Sequence, residues 1–398
     1  MSEPTFRLNA FPLHRKTNGL SFMSRRPLRS GVDAASASLS TQATESTQWR
    51  KYRNPKSRHG YAAEDANALY DRLHGRKVVK TGESNDPDGP DRIVDGVRIQ
   101  TKFCKDAAST IHTSFNKHTG MYRYKGQVLE VPKDQYEEAV KLMAQKIREG
   151  KVEGVTDPAQ ASKMVKASPY TYKQSVRIAK AGNIDSIKFD VMNQAGASLK
   201  SGAISTVTSF VDAKMRGEST ATALKSSAKQ GACTAGKAMV TGVATQQILR
   251  TGAGRTVSAA AQKGIGKAID ATMKTQAGRK VIEKTASAIG GKAVTGAAAK
   301  QVLSRAGSTN VVTAAVSFVV SAVPDTVRLC THKISGKEYA IRTASNGAGL
   351  AGGTGGAWVG SAIGTAICPG IGTAVGGFIG SMAGGIGGST LVSKLCRR

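Results

Sequence analysis

The sequence predicts a small α/β core, followed by a mainly helical region and a glycine-rich two-helix hairpin. Three observations carry this. Asp95-Gly96 between two β-branched runs is a strong short-range signal for a hairpin with a two-residue type I′ turn. Helical spacing of apolar residues stands on both sides of that hairpin. From Thr343 to Ser393 there is no charged residue in 51 positions, and 17 of them are glycine.

Within the core, Gly60 to His74 shows helical spacing through Tyr61, Ala62, Leu69 and Leu73, and Gly75 ends it. Lys77 to Val79 reads as a short strand, and Thr81 to Gly89 as a polar loop. The Asp95-Gly96 turn sets the register of the hairpin: Val94 opposite Val97, Ile93 opposite Arg98, Arg92 opposite Ile99, and Asp91 opposite Gln100. Side chains alternate along a strand, so Asp91, Gln100 and Lys102 share one face. Val94, Val97, Ile99, Thr101 and Phe103 take the other, which is the expected core face. Met121 to Tyr124 and Gln127 to Val131 read as a second hairpin around Lys125-Gly126. Lys133 to Arg148 is an amphipathic helix with Tyr136, Val140, Met143 and Ile147 on one stripe, and Thr156-Asp157-Pro158 starts another helix.

Composition divides the chain into four zones. Residues 1–55 are a basic arm expected to be disordered, and residues 56–195 form the α/β domain. Residues 196–310 are a basic, Ala/Gly/Ser-rich helical region, and residues 311–398 an apolar and glycine-zipper region associated with a membrane. The net charge of +30 points to a polyanion as partner, either nucleic acid or an anionic membrane surface, and composition does not choose between them. The five cysteines are far apart and form no CxxC pair, which supports neither a zinc site nor a disulfide framework.

Glycine spacing is the signal in the last zone. Gly352, Gly356, Gly360 and Gly364 are four apart, as are Gly372, Gly376, Gly380, Gly384 and Gly388. On a helix each run forms a flat stripe that admits a close neighbour and favours self-association. Cys368-Pro369-Gly370 is the turn between them. Leu350–Ile367 and Ile371–Val392 are each near the ~20 residues that span a bilayer, with Lys394, Arg397 and Arg398 at the headgroups. Glycine adds little hydrophobicity, so a buried soluble hairpin stays open as the alternative. Val311–Val323 is only 13 residues long before Pro324, too short to span alone.

The shared hairpin face gathers a carboxylate, an amide and an ammonium, the groups a metal-dependent phosphodiester hydrolase needs. Asp91 supplies an oxygen ligand, and Glu64 on the preceding helix a second. Gln100 ligates or positions through its amide oxygen, and Lys102 polarises water or stabilises charge on the phosphate. Magnesium suits so oxygen-rich and carboxylate-poor a set, because it keeps several waters.

Glu64 on a helix, Pro90-Asp91 at a strand, then Gln100-x-Lys102 on the next strand resembles the PD-(D/E)XK nuclease superfamily. The resemblance covers roughly Gly60 to Gly150 and implies a restriction-endonuclease-like αβββαβ core, divalent-metal catalysis and cleavage of DNA. Gln100 stands where Asp or Glu is usual, which removes one charge from the site. The glycine tract is similar to the glycine-zipper segments of membrane-associated proteins.

Together these readings describe a membrane-associated, Mg²⁺-dependent DNA endonuclease acting as a toxin, effector or defence protein. It is expected at the bacterial inner membrane or at a membrane to which it is delivered. Two other readings stay open: a non-enzymatic membrane-inserting or pore-forming protein, and a degenerate nuclease fold that only binds nucleic acid. A cytoplasmic location also stays open, as does an organellar one if residues 1–40 form a transit peptide.

Overall fold

The computed structural model describes residues 51–81, 87–290 and 293–367, together with Gly380, Ala383, Gly384, Gly387, Gly388 and Leu391. The head is a five-stranded mixed sheet flanked by helices. Its elements are α1 (Arg58–Leu73), β1 (Val78–Lys80), β2 (Arg92–Val94), β3 (Val97–Thr101), α2 (Ala107–His112), β4 (Val128–Val131), α3 (Tyr136–Arg148), α4 (Ala161–Met164), β5 (Val165–Ala167) and α5 (Tyr172–Ile178). The strands lie in sequence order. β1, β2 and β3 form an antiparallel meander, while β4 pairs parallel to β3, and β5 parallel to β4.

The β2–β3 register is the one the turn dictates, with Arg92 opposite Ile99, Ile93 opposite Arg98 and Val94 opposite Val97. Asp95 (φ 50°) and Gly96 (φ 88°) both occupy the left-handed region that a type I′ turn requires. The second hairpin does not form. Val128–Val131 pairs in parallel with β3, and Tyr122 makes only an isolated bridge to Phe115. Gly126 still turns the chain, at φ 71°. β4 instead completes a crossover through α2, which buries it between two strands.

One face of the sheet is apolar: Leu129, Val131 and Val165 pack with Ile111, Met143 and Ile147 from α2 and α3. The other face meets α1 through polar groups. Glu64, Asn67 and Asp71 recur at helical spacing, and Asn67 and Asp71 are buried against the sheet. Tyr61 and Leu73, expected on the core stripe, are exposed. Val97, expected on the core face of the hairpin, is also exposed, while Val94, Ile99, Thr101 and Phe103 are buried. That face carries the buried Arg92 as well, so it is not an apolar core face. Paired ionic groups replace apolar contacts there.

Beyond the head, the described residues form six long helices: α6 (Ile184–Met215), α7 (Thr220–Arg250), α8 (Gly252–Thr272), α9 (Gln276–Gly290), α10 (Gly296–Cys330) and α11 (Gly336–Ile367). The composition shifts near residues 195 and 310 fall inside α6 and α10. Tyr52, grouped by composition with the basic arm, is buried against Ala62, Leu69 and Phe189. α10 corrects the reading of Val311–Val323 as too short to span. The helix runs 35 residues and continues through Pro324. Upstream, Ser308 and Thr313 turn their hydroxyls back onto the carbonyls of Arg305 (2.8 Å) and Thr309 (3.0 Å), so polar side chains do not end the helix. Among the described residues, α10 is the one helix long and apolar enough to cross a membrane.

The glycine stripes meet as an antiparallel pair. Ala348 faces Gly388, Gly352 faces Gly384, and Gly356 faces Gly380. A Cβ added to Gly384 would lie 2.8 Å from the Gly352 carbonyl carbon and 3.1 Å from the Gly356 Cα. The Cys368-Pro369-Gly370 turn and Lys394, Arg397 and Arg398 lie outside the described residues.

Candidate active site

Asp91 precedes β2, and its main-chain amide donates to the Ile99 carbonyl (3.0 Å), which extends the ladder and fixes the residue beside β3. Its Oδ2 accepts two hydrogen bonds, from Gln100 Nε2 (2.8 Å) and from the Thr101 amide (2.7 Å). The alternation of β3 thus brings Gln100 to Asp91, as the register predicts. Gln100 is buried, and its Oε1 has no hydrogen-bond partner among the described residues.

Lys102 lies one pleat further along on the same face, with its amide bonded to the Glu130 carbonyl (2.9 Å). Its Nζ sits 5.1 Å from the Tyr124 ring centroid. Lys102 is close enough to Asp91 to draw its carboxyl down, as do the Thr101 amide, Arg92 and Gln100. Burial outweighs them all, and Asp91 stays above its ordinary value.

Glu64 reaches the same place from α1. Burial pushes its carboxyl from 4.5 up to about 8, with repulsion from Asp91 and then Asp65 adding to the rise. Lys51 and Lys80 act in the opposite direction and do not cancel it. The neighbouring Asp65 is satisfied by Tyr52 Oη (2.9 Å) and Lys80 Nζ (2.5 Å). The structure therefore gathers all four residues expected from the sequence: two carboxyls that burial raises, beside the Gln100 amide and the Lys102 ammonium.

What the sequence reading missed lies beneath them. Arg92 is buried and grips Asp71 on α1 (3.0 and 3.1 Å) and Glu130 on β4 (2.8 Å from each terminal nitrogen). Thr101 Oγ1 accepts from Arg92 (3.0 Å), Asn67 donates to Glu130 (2.6 Å), and Ser168 donates to Asn67 (2.7 Å). This cluster ties together α1, β2, β3 and β4, the elements around the site. One signal in the sequence was available: Glu130 interrupts the apolar strand Val128-Leu129-Glu130-Val131.

Two oxygen donors of the candidate set are carboxylates and the third is the unpartnered Gln100 Oε1. Among the described residues no three His, Cys, Asp or Glu side chains gather as a metal-ligand group. Carboxylate and amide oxygens are the donor types that hard cations take.

Comparison with known proteins adds two families. Residues 40–148, which include all four site residues, match the family model described as the YeeR C-terminal domain. Residues 336–391 match a C13G5.2-like glycine zipper domain, which agrees with the observed pairing of the glycine stripes. Neither description names a nuclease. The inner membrane protein YeeR of Escherichia coli strain K12 is 40% identical over 136 residues, covering 32% of this chain and 27% of that protein. The chain thus spans little more than a quarter of the length of that curated relative. No solved structure matches the chain.

Proposed function

We propose that the chain is a membrane-associated endonuclease whose α/β head hydrolyses DNA phosphodiesters with the help of a divalent cation, Mg²⁺. The observation that carries this reading is Gln100 Oε1. It is a buried carbonyl oxygen with no partner among the described residues, and its own amide nitrogen is committed to Asp91. A buried acceptor left unpaired costs roughly 1–3 kcal/mol, and a cation at that point relieves it. The same cation offsets the burial that raises the carboxyls of Glu64 and Asp91, and the repulsion Asp91 adds at Glu64.

Glu64, Asp91 and Gln100 would hold the ion, which when bound supplies Lewis-acid activation of water and phosphate. Lys102 places its positive charge where charge develops on the phosphate. The helix–meander–helix–strand order of the head supports the likeness to the PD-(D/E)XK core, and the chain's net charge of +30 suits a phosphate backbone. Membrane association is supported by the glycine-zipper match, the apolar α10 and the inner membrane relative. A hydrolytic head on a membrane body suits a toxin, effector or defence protein.

The test is cleavage of supercoiled plasmid by the full chain in detergent, with Mg²⁺ or with chelator. Nicking in Mg²⁺ that is lost in Asp91→Asn and Lys102→Ala, with DNA retention unchanged, is the expected result. A folded wild-type chain that leaves DNA and RNA intact in Mg²⁺ and Mn²⁺ overturns the catalytic reading.

A further inference from the structure

The pair α6–α7 is built inside out. In water, a helix pair turns its large apolar side chains inward and its polar ones outward. Here the shared interface holds small and polar residues. Ser201, Ser205, Thr234 and Thr241 are buried, and Ser205 Oγ lies 2.9 Å from Thr234 Oγ1. The backbones approach so closely at Gly202 that a Cβ there would lie 2.8 Å from both the Ala235 Cβ and the Gly231 carbonyl oxygen. The outer surface carries the large apolar side chains: Leu199 is 70% exposed, Val207 63% and Met215 83%, with Leu224 and Val240 exposed as well. Small residues at the contact, polar groups turned inward and bulk turned outward form the pattern of helices that associate in lipid.

Two further observations say what covers that surface. Lys200, Lys225 and Lys229 are exposed among the apolar residues, a mixture that suits acyl chains beside anionic headgroups. The pair is also continuous with the bilayer-length helix: Leu249 of α7 packs on Val312 and Val316 of α10. We propose that α6 and α7 form a second lipid-contacting hairpin, whose outer face lies against an anionic bilayer. This rests on the membrane association argued above and extends it to residues 184–250, far upstream of the glycine zipper.

The test uses the full chain reconstituted in phosphatidylglycerol/phosphatidylcholine vesicles, on a background whose native cysteines are replaced by serine. An environment-sensitive fluorophore is placed in turn at Leu199→Cys, Val207→Cys and Leu224→Cys. Val319→Cys, on the exposed face of α10, reports whether the chain enters the bilayer, and Glu138→Cys on α3 is the head control. Acyl chains carrying bromine should quench residues 199, 207 and 224 as strongly as 319 and leave 138 bright. Circular dichroism establishes that each variant keeps the wild-type helicity.

Quenching at 319 alone overturns the proposal, because the face is then covered by protein, either a second copy or another part of this chain. Quenching at none of the five positions overturns the membrane reading along with it. Vesicle binding should weaken as phosphatidylglycerol is replaced by phosphatidylcholine. Binding indifferent to that replacement removes the anionic part of the proposal.

Discussion

Replacing Glu64 with Gln will flatten the pH dependence of the head's stability, and the sign follows from its raised carboxyl. In the fold Glu64 titrates near 8 instead of 4.5. Between those values the folded chain holds a proton that the unfolded chain has released. Stability therefore falls as pH rises through that window and levels off above it. At about 1.4 kcal/mol per pH unit, the full window corresponds to at most about 5 kcal/mol, part of it shared with Asp91 through their repulsion.

Glu64→Gln removes the charge and with it the slope, so the cation-free variant is the more stable protein at pH 9 and near-equal to wild type at pH 4. Mg²⁺ restores the wild type at pH 9 and does little for the variant. Hydrogen exchange of the β2–β3 amides, Thr101 above all, reads the opening free energy across pH with and without Mg²⁺. Parallel pH profiles for wild type and Glu64→Gln would refute the charge frustration on which the cation site rests.

Four other substitutions have defined outcomes. Arg92→Met removes the buried cation shared by Asp71 and Glu130, leaving among the described residues only Arg76 (3.1 Å) for Asp71 and only Asn67 (2.6 Å), Lys166 (3.4 Å) and the Thr101 hydroxyl for Glu130, so denaturant titration should show a loss of up to about 3–5 kcal/mol. Gly384→Ala should loosen the glycine pair, since its Cβ would press on the Gly352 backbone. Gly387→Ala meets nothing within 4 Å among the described residues and should stabilise its helix by roughly 1 kcal/mol, and thermal unfolding in detergent separates the two. Gly96→Ala places a Cβ at φ 88° and should destabilise the β2–β3 turn by about 1–2 kcal/mol, read from hydrogen exchange across the hairpin.

Several features were legible in the sequence because they are local. Asp95-Gly96 selects the turn by its tolerance of positive φ, and the turn fixes the register that brings Asp91 to Gln100. The α3 stripe and the four-residue glycine rungs are periodicities, and a helix converts each directly into a face. Other features depended on partners distant along the chain. Whether β4 pairs with Tyr122 or runs parallel to β3 is decided by which crossover packs on the sheet, and no residue near Gly126 encodes that choice. Asp71 of α1 is buried because Arg92 and Glu130, 21 and 59 residues further on, close around it, and nothing local to α1 encodes that.

The two properties that bear most on function belong to this second group. The sequence placed Gln100 beside Asp91, but only the packed structure leaves its carbonyl oxygen buried and unpaired, because burial and satisfaction depend on every neighbouring atom. The sequence likewise made α6 and α7 helical and small-residue-rich. Only their packing decides that hydroxyls face inward and Leu199, Val207 and Met215 outward, because a periodicity defines a face and its partner defines which way that face turns.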